Sequence, residues 1–296
     1  MFLAFLNKPA FSLRQSKMVE LEKIIALSSV VMNTMMSISG LVINGSMIII
    51  VSKYKDLHRK PNILMSCLST ADLLVNVAAQ PVTGLLQVNK FMGTTVFHID
   101  KAMSSYVIIA TFVLSLLILT IVCVDRAVAC TFPLFHKVRF TKERLLIAVA
   151  TCLPWPWTTF AVGSSRYFTF AITFVILVCV ALIFISCIAI IIAIKKPNNL
   201  VNGNEAMIQL RLKQLKSAKT ALLIVAVQCA VYVPWCVIGL NRSQLQVYWP
   251  WATALVFSNS FLNSTLFICR SNDLNKRYKK VFCQGRPRNV VEPFEH

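Results

Sequence analysis

Charge is scarce in this chain: Asp, Glu, Lys and Arg together make up 14% of its 296 residues, against ~25% in a soluble domain. With 57% hydrophobic residues and a mean hydropathy of +0.69, that shortage excludes a soluble globular domain and points to the membrane. No two cysteines form a CxxC pair, and the ten present fall inside or at the ends of apolar runs, so neither a zinc site nor an extracellular disulfide is expected. No His-rich, Ser/Lys or paired-Asp constellation occurs within the apolar runs, which argues against an enzyme. The amino terminus, MFLAFLNKPAFSLRQSK, lacks an apolar core long enough for a signal peptide and is broken by Lys8 and Pro9. The first long apolar run is therefore expected to act as its own insertion signal.

Seven apolar stretches are present, at about 24–51, 62–88, 101–130, 145–163, 168–194, 217–240 and 247–269, each near or above the ~20 residues a bilayer requires. The expected fold is an all-α integral membrane protein, a bundle of seven transmembrane helices. The net charge of +19 does not imply nucleic acid, because Lys and Arg sit in short clusters between apolar runs rather than on one soluble face. Most of them lie in the connectors after spans one, three and five and in the carboxyl tail, so these segments are expected to be cytoplasmic and the amino terminus extracellular. The expected layout is an extracellular segment 1–23, the spans 24–270, an amphipathic helix 271–283 and a tail 284–296. In that helix Leu274, Tyr278 and Phe282 repeat every four residues with Asn275, Lys276, Lys279 and Lys280 between them, the pattern of a basic helix on the inner leaflet. Cys283 at its end is a candidate palmitoylation site. Asn241-Arg242-Ser243 is a glycosylation sequon on the expected outer side.

Polar residues inside the spans are few and therefore informative. Asp72 lies ten residues from the start of span two, ~15 Å deep by helical rise, in the middle of the hydrocarbon. Ser115 lies eleven residues before Arg126 on span three and reaches ~16 Å from that end. Asn259 and Asn263, one turn apart on span seven, add amide oxygens at about the same level. Hydroxyl, amide and carboxylate oxygens suit a hard cation; a hydrogen-bonded knot around a neutral Asp72 is the other reading of the same residues. Gly40 and Asn44, one turn apart on span one, are expected to let a neighbouring helix approach and to give the amide a partner there. Pro154 and Pro156 are expected to kink or end span four, and Pro234 to bend span six. Span five has neither proline nor charge within 168–194 and is expected to face lipid. Span three closes on Asp125-Arg126, a charge pair at the aqueous face.

Taken together, Asn44 in GLVIN, Asp72 in PNILMSCLSTADLL, VDR with Pro133-Leu134 after it, Pro234, and NSFLNSTLF before a short basic helix resemble the rhodopsin-like (class A) G-protein-coupled receptors. The resemblance runs from about Gly40 to Phe282. It implies a receptor that carries an extracellular signal to a heterotrimeric G protein at the plasma membrane. In such a receptor, ligand bound between the outer helix halves swings the inner end of span six outward. By the same resemblance Asp125 holds Arg126 until activation, and Tyr232, Pro234, Asn263 and Phe267 belong to the switch. Asp72, Ser115, Asn259, Asn263 and Asn44 match the polar core that takes an allosteric sodium ion.

This sequence also departs from the family pattern. VDRA replaces the motif ending in Tyr, NSTLF lacks the family's proline and tyrosine at Ser264 and Phe267, Tyr232 stands for a tryptophan, and Gln214 replaces the acid that often locks Arg126 to span six. Lys101 stands where the outer cysteine of span three is expected. The absent disulfide, the short connector at Ser164–Tyr167 and the proline-free span five resemble the melanocortin, adenosine, cannabinoid and lysophospholipid branch. The outer pocket would be lined by Gln80, Asp100, Ser104, Ser105 and Thr253, and by the apolar Ile108, Phe112, Trp235, Trp249 and Phe257, with Cys236 beside them. Ile108 at the amine-binding position argues against a biogenic amine, and the apolar lining favours a lipid or small peptide. Two alternatives remain: a receptor-like protein that binds ligand without signalling, and a small transporter or channel. The second would show charges paired through several spans or inverted repeats.

Overall fold

Prolines and apolar length together set where the helices begin and end. The computed structural model describes residues 8–93, 95–98, 100–154, 166–195, 205–241 and 245–283, and all regular structure among them is helical. Helix α1 runs Lys8–Lys53, so part of the expected extracellular segment 1–23 is helical. Pro9 does not break the helix but sits in its first turn, where the missing N–H costs nothing. Helix α2 (Lys60–Leu74) likewise has Pro61 in its opening turn, and Asn62 donates to the Leu57 carbonyl at 2.9 Å to close the connector below it. The same rod continues through a π-helical turn, Val75–Ala79, into α3 (Gln80–Met92). Helix α4 (Lys101–Thr131) is followed by the short α5 (Pro133–Arg139) and by α6 (Lys142–Cys152). Helices α7 (Arg166–Lys195), α8 (Glu205–Leu240), α9 (Trp249–Arg270) and α10 (Asn272–Tyr278) complete the described chain.

Six of these rods are long and apolar enough to cross a membrane: Met18–Lys53, Lys60–Met92, Met103–Thr131, Phe170–Lys195, Ala218–Ile238 and Gln246–Arg270. They correspond to the expected spans one, two, three, five, six and seven, and the protein is a multi-pass membrane protein. The expected fourth span begins with α6, which ends at Cys152, two residues before Pro154. Pro156 and the connector at 164–165 lie outside the described residues.

The π turn in span two has a local cause. Pro81 offers no N–H, and a widened turn keeps its ring clear of the preceding carbonyl. The Gln80 N–H reaches back to Val75, leaving the Asn76 carbonyl short of a backbone donor. Ser37 Oγ on α1 fills it at 2.8 Å, and Asn33 Nδ2 donates to the Gln80 carbonyl at 2.7 Å. Gly40 permits this approach: a Cβ there would lie 2.5 Å from Asn76 Nδ2. The close helix contact expected at Gly40 is thus made with the rod of span two, through the amide of Asn76.

The main apolar core fills the half of the bundle nearer Arg126, with Leu64, Leu68, Ile118, Leu119, Leu145, Ile224 and Ile268 enclosed in it. Helix α7 packs on α4 and scarcely on α8, while Phe170, Phe174, Phe184 and Ile192 point outward, as lipid-facing residues do. Helix α10 is pinned beneath the bundle by the buried Leu274. Two ion pairs with the first connector also hold it, Arg59–Asp273 at 2.8 Å and Arg277–Asp56 at 3.3 Å. Both are exposed and contribute little to stability.

Candidate functional site

The charge pair at the end of α4 is a three-membered group. Asp125 is fully enclosed and its two carboxylate oxygens are divided: Oδ2 takes Arg126 Nη2, and Oδ1 takes His136 Nε2 at 2.8 Å. His136 gets there because only Phe132 separates the end of α4 from Pro133 at the start of α5, which folds the connector back under the bundle. Phe140 stacks on its ring at 5.3 Å. His136 was not foreseen, since it is eleven residues from Asp125 and only the turn at Phe132 brings the two together. A buried carboxylate with two cationic or donor partners is a rigid arrangement, and removing one partner leaves its oxygen stranded.

Arg126 also borders a crevice of about 780 Å³ that opens at this end. Arg59, Lys60, Lys137, Lys216 and Arg270 surround it, Phe267 lies on its wall, and Asp273 is at its rim. Across it Arg270 Nε donates to Thr220 Oγ1 at 3.3 Å, joining α9 to α8. The side chain of Gln214, expected near here, lies outside the described residues.

Deeper in the bundle, the polar residues chosen by depth meet. Ser115 Oγ donates to Asp72 Oδ1 at 2.7 Å and Asn263 Nδ2 to Asp72 Oδ2 at 3.2 Å. Gln228 of α8, which depth counting missed, donates to Asn263 Oδ1 at 3.2 Å. Asn259 does not join the carboxyl directly; its Nδ2 donates to the Tyr232 hydroxyl at 3.0 Å, and Phe112 meets the Tyr232 ring edge-on at 5.9 Å. Asn44 donates to the Ser260 carbonyl at 3.1 Å and accepts from Ser264 Oγ at 2.5 Å, while Ser264 and Ser69 hydroxyls are 2.8 Å apart. Ser264, a departure from the family motif, thereby ties spans one, two and seven. The donor set fits a small monovalent cation: a carboxylate, a hydroxyl, and the enclosed Asn259 Oδ1, which has no protein partner.

The candidate pocket residues at the opposite end do not form one group. Asp100 caps α4, its Oδ1 accepting from the Met103 N–H at 3.2 Å and its carbonyl from Ser104 Oγ at 2.6 Å, and Ser105 is exposed on the next turn. Trp235 and Trp249 meet between α8 and α9 at 5.5 Å, and Thr253 bonds back to the Trp249 carbonyl at 2.9 Å. Ile108 and Phe257 pack deeper, on Val75 and Ala79. Gln80 is fully enclosed against α1. Cys236 is exposed, and Asn241 is exposed in the turn after α8, with the rest of its sequon outside the described residues. The Cys283 side chain also lies outside them.

Residues 37–169 match a family model described as "Serpentine type 7TM GPCR chemoreceptor Srsx". The chain is a G-protein-coupled receptor for extracellular signals. The matched stretch takes in Asn44, Asp72, Ser115, Asp125, Arg126 and His136, and ends at the start of α7, so the residues of α8 and α9 expected to belong to a switch lie beyond it. No curated protein matches the sequence. The receptor's chemistry is one of binding and conformational change rather than catalysis.

Proposed function

We propose that the receptor switches by the rhodopsin-like mechanism, with Arg126 as the group released to a heterotrimeric G protein. The observation that carries this reading is the position of Arg126: it is held by Asp125 and at the same time borders a basic crevice of about 780 Å³. Breaking that hold turns a guanidinium toward the crevice without moving α4. Helix α8 is the element free to open it, since it packs on α9 and α4 and scarcely on α7. Tyr232, Pro234, Asn263 and Phe267 lie on α8 and α9, where such a motion would be transmitted.

The crevice end faces the cytoplasm of the plasma membrane in this reading, because the Lys/Arg clusters gather there. Helix α10 would then lie along the inner leaflet, with Cys283 as its acylation candidate, and the layout would be 1–23 outer segment, 24–270 span domain, 271–283 amphipathic helix and 284–296 tail. The Asp72 group would take a sodium ion that favours the resting state. The ligand in this reading is a lipid or small peptide, on the apolar character of Ile108, Phe112, Trp235, Trp249 and Phe257, of which Trp235 and Trp249 meet between α8 and α9. The family match speaks for a chemoreceptor and lends nothing to the melanocortin, adenosine, cannabinoid and lysophospholipid branch, which rests on the residues alone. A receptor that binds without signalling is the second reading. It is favoured by Phe267, which has no hydroxyl to rearrange, and by the Ser264 ties that hold the inner end of α9.

The test is nucleotide exchange on a panel of G proteins, normalised to receptor at the cell surface, for wild type and Arg126→Ala. Coupling should fall at least tenfold, about 1.4 kcal/mol of lost coupling energy. Wild-type exchange that does not respond to Arg126→Ala would sink the switch assignment, and no exchange with any G protein would leave the non-signalling reading.

A further inference from the structure

His136 and Arg126 draw on the same carboxylate, and of the two only His136 can change its charge. A guanidinium stays protonated in proteins, whereas imidazole is the side chain whose ordinary charge change falls between about pH 5 and 8. His136 Nε2 is bonded to Asp125 Oδ1 at 2.8 Å while Arg126 Nη2 holds Oδ2. The other ring nitrogen, Nδ1, has no hydrogen bond to the described residues, and His136 is among the residues lining the crevice. A proton can therefore reach Nδ1 from water with no helix moving.

The surrounding charges decide what that proton does. Helix α5 itself carries Lys137 and Arg139. Lys60 of α2 stands within electrostatic reach of Asp125 and Arg126, and Lys142 of α6 within reach of Lys60. Lys216 of α8 and Arg270 of α9 line the crevice, and its one acidic residue among those described, Asp273 of α10, is paired with Arg59 at 2.8 Å. Asp125 is thus the one anion in contact with His136 among the described residues, inside a ring of cations. Water and salt screen the exposed cations over about 8–10 Å, but Asp125 and Arg126 are enclosed and act on the ring at close range. A positive charge on the imidazole is therefore met by Asp125, draws the carboxylate toward Oδ1, and repels the guanidinium on Oδ2. A neutral imidazole that donates its Nε2–H keeps Oδ1 answered and leaves Arg126 its full share. We propose that His136 is a proton-operated release for Arg126: a proton taken up at Nδ1 from water in the crevice tightens the His136–Asp125 contact and loosens the Asp125–Arg126 contact. The inference rests on Arg126 as the switch group, and it adds the proton concentration on the crevice side as a second input beside the extracellular signal.

The test uses full-length receptor in nanodiscs of neutral lipid, and its first reading does not depend on coupling. The chain has four histidines, so with isotope-labelled histidine the magnetic-resonance signal of the His136 ring is identified by its loss in His136→Gln. Its titration is followed in wild type and in Arg126→Ala. Coupling between two cations on one carboxylate is reciprocal, so removing Arg126 should raise the proton affinity of His136 by about fivefold or more. Arg126→Gln, which can still donate to Oδ2 but carries no charge, should act alike. An affinity unchanged or lowered in both variants overturns the proposal, as does a wild-type ring that takes up no proton between about pH 5 and 8. The second reading is nucleotide exchange, corrected at each pH for exchange without receptor. Acidification across the same range should raise wild-type exchange severalfold and leave His136→Gln flat, because its amide can donate to Oδ1 but takes no proton. A wild type that does not rise, or a variant that rises equally, overturns the proposal. The raised affinity together with no exchange at any pH supports the competition for Asp125 and sinks the coupling role of Arg126, so the two failures are told apart.

Discussion

The two ends of the bundle treat buried polarity in opposite ways. At the Arg126 end the Asp125 carboxylate and the hydroxyl and amide groups of Asn44, Ser264 and Ser69 are matched by protein: Asp125 divides its oxygens between Arg126 and His136, and Asn44, Ser264 and Ser69 form a closed set. At the Gln87 end, Asn33, Asn76, Gln80 and Thr83 are equally enclosed but leave atoms unmatched. The difference shows that burial by itself does not decide whether a polar group is answered by a partner on a neighbouring element.

The comparison can be broken first at its tightest point. His136→Phe keeps the stack on Phe140 but strands Asp125 Oδ1, and should lower stability by about 2–3 kcal/mol, the scale of a lost hydrogen bond to a charged group. Thermal unfolding of purified receptor reads it. Basal coupling should not rise, because Arg126 then has the carboxylate to itself; a rise would make His136, rather than Asp125, the restraint. Next in size is Gly40→Ala, which drives a methyl into Asn76 and should cost about 1–3 kcal/mol as overpacking does. A neutral result would mean that α1 and the π turn are not in the close contact described. The smallest effect sharpens the comparison where the two regions meet. If sodium at ten times its dissociation constant stabilises wild type by about 1.4 kcal/mol, Asp72→Asn should abolish that increment when the chloride salts of sodium and of N-methylglucamine are compared. An increment that survives in Asp72→Asn would leave Asp72 as a structural polar knot.

Much of the Asp72 site is legible in the sequence. Helical rise alone puts Asp72 and Ser115 at one depth, and they are hydrogen-bonded. Asn263 obeys the same count and donates to the same carboxyl. Asn259 is at the right depth but on a different partner, because one turn of helix rotates a side chain enough to meet Tyr232 instead. Helix starts at Pro61 and Trp249-Pro250 are visible in local chemistry, whereas the extension of α1 back to Lys8 is not, because the stretch after Pro9 mixes polar and apolar residues. The pocket at the Gln87 end is the least legible, since its residues were chosen by family position and side chains such as Gln80 turn toward α1.

The sequence by itself determined everything that depends on distance along one chain: membrane-length apolar rods, the basic end, the depth of Asp72, and the Asp125-Arg126 pair at a helix end. Those arise from rise per residue and from the cost of charge in hydrocarbon. Only the tertiary structure decided which polar groups are answered and which are not. His136 reaches Asp125 after a turn, Gln228 reaches Asn263 from one helix to the next, and Ser37 supplies the donor that Pro81 withholds. Such partnerships are fixed by the rotation and spacing of neighbouring helices, which depend on all the packed faces at once and on no single stretch of sequence.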